Sequence, residues 1–148
     1  MSNIVIRPVE IGDYKKNFIQ LLGQHFEINV CEINENKFTE YINSKINDSY
    51  KIYVMEDMKY NKVIGSVTLI YETKVIHNFG KVAHLEDLII HEKYRNKNLG
   101  NIMINFCKEN AIKNKCYKIL LDCDNNLLNY YQKNNFIKIS NRMGIYFN

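Results

Sequence analysis

No stretch of this sequence approaches the roughly 20 apolar residues that cross a bilayer. Residues 1–8 also lack the charged-then-apolar layout of a signal peptide. Secretion and membrane insertion are therefore not expected. Arginine is scarce: only Arg7, Arg95 and Arg142 stand among the 20 basic residues, against 16 acidic ones, for a net charge of +4. Lysine is scattered rather than gathered into a run, so no nucleic-acid partner is expected. A mild positive balance suits an anionic small ligand, and a solvated lysine-rich surface accounts for it equally well.

Cysteine is sparse and badly spaced for chemistry. The four residues, Cys31, Cys107, Cys116 and Cys123, form no C-x-x-C pair, so zinc and dithiol chemistry are not indicated. If the run between Cys116 and Cys123 is a strand, the two lie about 23 Å apart and cannot bridge. Reduced thiols in a cytoplasmic protein, with no metal, are the expectation. Tryptophan is absent and proline occurs once, at Pro8, where it closes the alternating run Ile4-Val5-Ile6-Arg7.

What is present suffices for one domain spanning 1–148, because 46% of the 148 residues are hydrophobic and 12% aromatic. Isoleucine, lysine and asparagine are abundant, and most asparagines read as surface filler. After a first strand at Ile4–Pro8, a helical stretch opens at Gly12-Asp13 and carries Phe18, Leu21 and Leu22 at helical spacing. Phe38, Tyr41, Ile42 and Ile46 predict a second helix capped near Asn34 or Asn36. Tyr50–Asp57, Val63–Tyr71 and Val82–Ile90 read as an antiparallel meander, with a hairpin at Lys59–Lys62 and a loop around His77–Gly80. Leu99, Ile102, Met103, Phe106 and Cys107 mark a helix ending near Asn114. A short strand at Ile119-Leu120-Leu121 looks fully buried. A short helix from Asn125-Asn126 and one or two strands across Phe136–Phe147 complete a mixed α/β order.

The junction from His84 to Gly100 carries the chemistry. A strand ends, a basic polar turn follows, and a helix begins. Helix N-termini offer unpaired N–H groups to phosphates, with Arg95 and Lys97 adding charge and Asn98 and Gly100 allowing close approach. A plain loop capping a helix fits the same residues. Glu86 and Asp87 are adjacent carboxylates within an apolar strand, so alternation points them to opposite faces and brings one to the core. Each is either a salt-bridge partner or a carboxylate placed to bind or deprotonate a substrate. His25, His84 and His91 have no partner at metal-ligand spacing and read as surface or strand residues.

These residues resemble the GNAT acetyltransferases. The motif [R/Q]-x-x-[G/A]-x-[G/A] aligns with Arg95-Asn-Lys-Asn-Leu-Gly100. Within that superfamily the closer resemblance is to the glucosamine 6-phosphate N-acetyltransferases. It is carried by Lys74-Val-Ile-His77, Glu86-Asp87-Leu88, Cys116-Tyr-Lys-Ile-Leu-Leu-Asp-Cys123, Tyr130-Tyr131-Gln-Lys133 and Phe136.

The resemblance implies a central mixed sheet flanked by helices and transfer of acetyl from acetyl-CoA to the 2-amino group of glucosamine 6-phosphate, in UDP-N-acetylglucosamine synthesis. It implies a homodimer whose sugar-phosphate site is shared between subunits. Leu88, Ile89 and Ile90 would bind the pantetheine arm, and the Leu88 amide would polarise the thioester carbonyl. Arg95, Asn96, Lys97, Asn98, Leu99 and Gly100 would cradle the pyrophosphate. Tyr131, Gln132 and Lys133 would meet the cofactor, with Tyr131 facing the sulfur. Lys74, Val75, Ile76 and His77 would bind the sugar phosphate; Glu86, Asp87 and Asp122 would bind the amino sugar. The amine would attack directly, with the Asp122 carbonyl accepting its hydrogen bond, Glu86 relaying the proton through water, and Tyr131 serving the departing thiolate.

The chain departs from the pattern in several places. Asn96 stands for a glycine, Asn98 for a glycine or glutamine, and Leu127 for an asparagine that touches the cofactor. Phe26 stands for a substrate-contacting threonine, and Tyr146 for an arginine that reaches the neighbouring subunit's sugar phosphate. A GNAT enzyme for another amine, or a non-catalytic acetyl-CoA-binding module, are the alternative readings.

Overall fold

A computed structural model describes residues 3–147. Five strands form one sheet in chain order: β1 (Ile4–Pro8), β2 (Tyr50–Asp57), β3 (Lys62–Thr73), β4 (Lys81–Ile90) and β5 (Cys116–Leu120). The first four pair antiparallel, and β5 lies parallel to β4. The helices are α1 (Phe18–Leu22), α2 (Glu35–Lys45), a short turn α3 (Ile76–Phe79), α4 (Leu99–Lys113) and α5 (Leu128–Lys133).

Alternation along β2 divides the interior into two cores. Tyr53 and Met55 face one side, where Leu99, Met103, Cys107 and Ala111 of α4 pack with Leu69 and Leu85. Ile52 and Val54 face the other, against Phe18, Ile19 and Leu21 of α1 and Phe38 and Ile42 of α2. The four-residue spacing on α4 sets a single buried stripe, and each large apolar side chain there stabilises the fold by about 1.5–3 kcal/mol. Asn34 caps α2, its side chain accepting from the Lys37 amide at 2.9 Å. Among the described residues, no helix is long and apolar enough to cross a membrane.

A charged cluster is buried where β1 meets β2. Arg7 donates to Asp13 Oδ1 at 2.6 Å and to Glu56 Oε2 at 2.5 Å, and Lys16 reaches Glu56 Oε1 at 2.7 Å. Asp13 is 0% and Glu56 1% exposed. Burial pushes the Glu56 carboxyl up, but the hydrogen bonds from Lys16 and Arg7 outweigh it and leave the group below its ordinary value.

Four expectations change. The first helical stretch is broken at Asn17, whose φ of 68° ends a 3-10 turn (Ile11–Lys16) before α1 begins. Strand β5 is a half-exposed edge rather than a buried strand, because α4 covers only one of its faces and no strand lies beyond it. Residues 136–147 form no strand. A strand needs a ladder partner, and this tail has none among the described residues, so Ile145, Tyr146 and Phe147 stand 80–97% exposed. Asparagine is not mere filler: six of the ten non-glycine residues with positive φ are Asn17, Asn61, Asn78, Asn96, Asn98 and Asn135, while no described glycine has one.

Candidate active site

Strand β4 is paired on both sides only over its first half. Its ladder to β5 runs from Lys81 opposite Cys116 to His84 opposite Leu120 and stops. From Leu85 to Ile90 that edge of β4 has no neighbouring strand among the described residues, which leaves an extended row of backbone groups for an elongated ligand.

Within this open half, Asp87 has a φ of 53°. Thr68 pairs with Glu86 and Ser66 with Ile89, so Asp87 and Leu88 together oppose Val67. This is a β-bulge. It corrects the expectation that Glu86 and Asp87 alternate and that one enters the core: the extra residue swings Asp87 outward while Glu86 is half-buried. Surrounding bulk pushes the Asp87 carboxyl up, and a hydrogen bond with Thr68 pulls it partly back. Among the described residues neither carboxylate joins a salt bridge. Asp122 follows β5 by two residues, just beyond the point where the ladder to β4 ends at His84 and Leu120. Its side chain pairs with Arg142 of the C-terminal tail.

The loop after β4 runs through a 3-10 turn (Glu92–Tyr94) into Arg95–Asn98. Arg95 Nε donates to the Ile90 carbonyl at 3.2 Å, and Lys97 Nζ sits 5.0 Å from the centre of the Tyr94 ring. Asn96 and Asn98 adopt φ of 60° and 63°, so asparagine makes the left-handed turns where the family pattern has glycine. No side chain caps α4; the Asn98 side-chain oxygen accepts from Asn101 Nδ2 at 2.6 Å instead. The amides of Leu99, Gly100 and Asn101 therefore have no helical partner. Tyr94, Asn96, Lys97, Asn98, Leu99 and Ile4 line a cleft of about 500 Å³ here.

Helix α5 is tied to α4. Asn134 Nδ2 donates to Asn101 Oδ1 at 2.9 Å, and Lys108 Nζ to the Asn134 carbonyl at 2.5 Å. Tyr131, Gln132 and Lys133 lie on this helix, with the Tyr131 phenol near Cys107 of α4 and Cys123. Burial, with Tyr130 and Cys123 nearby, pushes the Tyr131 phenol up to about 12. It keeps its proton at neutral pH. Cys107 is buried and also pushed to about 12 by desolvation, so its thiol is no nucleophile.

Lys74, Val75, Ile76 and His77 belong to the β3–β4 connection, at the opposite end of β4 from Leu88. His77 and Asn78 are left-handed, and the His77 ring lies 4.6 Å from that of Tyr117 on β5. Lys74 bends back to the sheet: its Nζ donates to Glu72 Oε1 at 2.5 Å, and Glu72 Oε2 lies 3.0 Å from His84 Nε2. Strand parity puts Glu72, His84 and Glu86 on one face. Glu72 was not anticipated, and His84 was expected only as a surface or strand residue. Neither carried a local signal, because their meeting depends on the register between β3 and β4. No group of three or more metal-ligating side chains is assembled among the described residues.

The sequence pattern of the Acetyltransferase (GNAT) family matches residues 18–136. Glucosamine 6-phosphate N-acetyltransferase 1 of Dictyostelium discoideum is 36% identical over 153 residues, covering 99% of this chain and 96% of the relative. Glucosamine 6-phosphate N-acetyltransferase of Arabidopsis thaliana is 32% identical over 143 residues, covering 96% and 95%. The crystal structure of glucosamine-6-phosphate N-acetyltransferase from Arabidopsis thaliana superimposes with a TM-score of 0.92 at 29% identity, covering 98% of this chain and 99% of that one.

Proposed function

The chain belongs to the GNAT acetyltransferase family, and from that premise we propose that it transfers the acetyl group of acetyl-CoA to the 2-amino group of glucosamine 6-phosphate. One observation carries the choice of acceptor: curated relatives with that activity in their names align along nearly the whole chain. We read residues 1–148 as a single catalytic domain in the cytoplasm that feeds UDP-N-acetylglucosamine synthesis.

The residues present fit a CoA thioester on two structural grounds, the uncapped N-terminus of α4 and the unpaired edge of β4 beyond His84. Acetyl-CoA supplies the activated acyl group. Leu88, Ile89 and Ile90 hold the pantetheine arm along that edge. Arg95, Asn96, Lys97, Asn98, Leu99 and Gly100 hold the diphosphate, where helix amides and two cations favour negative charge. Gln132 and Lys133 flank it from α5.

The Leu88 amide, at the bulge, donates to the carbonyl oxygen on which charge develops. The Asp122 carbonyl accepts from the acceptor amine, and Glu86 takes the proton through water. Tyr131 retains its proton at neutral pH and gives a hydrogen bond to the departing sulfur. A hexosamine 6-phosphate carries its amine and phosphate at opposite ends. Glu86 and His84 are separated by two strand residues, about 7 Å, and Lys74 continues that row through Glu72. This order supports the amine at Glu86, Asp87 and Asp122 and the phosphate at Lys74 through His77.

The exposed apolar tail supports a homodimer, because a second copy supplies what the tail's own chain does not, a surface for Ile145 and Phe147. The deciding experiment incubates purified protein with acetyl-CoA and, separately, glucosamine 6-phosphate, glucosamine, polyamines and lysine peptides, and follows CoA release. Preference for any acceptor other than glucosamine 6-phosphate overturns the reading.

A further inference from the structure

Tyr130 has no part in the site as assigned so far, yet its hydroxyl sits at the rim of the α4 N-terminus. A Cβ on Gly100 would meet Tyr130 Oη at 2.4 Å, so the phenol tip rests directly on the glycine. In a helix the Cα–Cβ bond leans toward the N-terminus. The hydroxyl therefore lies on the side of Gly100 where the amides of Leu99, Gly100 and Asn101 have no helical partner.

The hydroxyl is held there from behind. The Tyr130 carbonyl accepts from Asn134 Nδ2 at 3.0 Å, the same amide that donates to Asn101 of α4. The ring packs edge-on against Tyr131 with centroids 5.2 Å apart. Burial pushes the phenol up, so it is protonated and able to donate. Among the described residues its oxygen makes no hydrogen bond. A half-buried phenol fixed by packing, with a free O–H beside three free amides, is arranged as a fourth donor to one acceptor group. With Arg95 and Lys97 in the same turn, the acceptor that fits is anionic oxygen.

We propose that Tyr130 is a cofactor-binding residue whose hydroxyl donates a hydrogen bond to the diphosphate of CoA at the N-terminus of α4. The proposal rests on the reading of that helix end as the CoA diphosphate site. It also gives Gly100 a specific reason: any side chain there would displace the phenol.

Calorimetric titration with CoA and with pantetheine, which lacks the diphosphate, tests both levels. Tyr130→Phe is expected to weaken CoA binding about tenfold, equivalent to about 1.4 kcal/mol, and to leave pantetheine binding and the thermal midpoint unchanged. Gly100→Ala is expected to weaken CoA binding in the wild-type background and to add little in the Tyr130→Phe background, where the clashing oxygen is gone. Unchanged CoA affinity in Tyr130→Phe, equal weakening of both ligands, or fully additive losses in the double variant overturns the proposal. Wild-type protein that binds CoA no better than pantetheine overturns the diphosphate site itself, and the Tyr130 contact with it.

Discussion

Lys74 Nζ and Glu72 Oε1 are 2.5 Å apart, so the cation assigned to the sugar phosphate is oriented by a carboxylate two residues away in sequence. Hydrogen bonds with Lys74 and then His84 hold the Glu72 carboxyl below its ordinary range. The pair is half-exposed, so a phosphate can compete for the ammonium. Tyr146 brings no positive charge, so on the proposed reading the phosphate depends more on Lys74.

Lys74→Ala is accordingly expected to raise KM for glucosamine 6-phosphate far more than KM for glucosamine. Loss of one charge-assisted phosphate contact is worth about 1.5–3 kcal/mol. Steady-state kinetics on both sugars measures it, and equal effects on the two would place the phosphate elsewhere.

Tyr131→Phe is expected to lower kcat by roughly 10²–10³ with CoA affinity near wild type, since the phenol acts on charge that appears on sulfur only as the bond breaks. Single-turnover kinetics beside a CoA titration separates the two quantities. An unaltered chemical step removes Tyr131 from the mechanism.

The buried cluster of Arg7, Asp13, Lys16 and Glu56 predicts acid sensitivity. Glu56 has a folded pKa below its ordinary value of 4.5. Its contribution is therefore fully present above 4.5 and is lost as pH falls through the lowered folded value. Glu56→Gln is expected to cost about 3 kcal/mol near neutrality, because it strands buried cations. The gap between variant and wild type should shrink as pH falls below 4.5 through the lowered folded value. Urea midpoints across that range test it, and a gap independent of pH would show that the carboxylate charge is not the cause.

The tail predicts assembly. Ile145→Asp combined with Phe147→Asp is expected to convert a wild-type dimer to monomer, read by light scattering at assay concentration. A wild-type monomer would sink the shared-site reading.

Elements governed by local chemistry were legible in the chain. The run Ile4–Pro8, the Asn34 cap of α2, the Lys59–Lys62 hairpin and the stripe Leu99, Met103, Cys107 each depend on residues within a few positions of one another. The Arg95–Gly100 turn was legible as well, while the left-handed conformation of Asn96 and Asn98 came from the structure. The other asparagines were misread as filler, although Asn17, Asn61, Asn78 and Asn135 stand at left-handed turns for the same reason.

What escaped the sequence depends on how distant segments pair. The Asp87 bulge exists only in the register of β4 against β3, where two residues must face Val67. The exposure of β5 follows from its place at the sheet edge, since Ile119 and Leu120 look the same on paper in a central strand and an outer one. Residues 136–147 have the composition of a strand but no ladder to join among the described residues.

The sequence by itself determined the family, the order of elements from β1 to α5 and the basic turn at Arg95–Gly100, because periodicity, caps and a contiguous motif are local properties. Only the tertiary structure decided which side chains act together. Glu72 meets His84 across two strands, and Tyr130 rests on Gly100 from another helix. Each of these contacts joins residues at least 12 positions apart through strand register or helix packing, and no periodicity along the chain records either one.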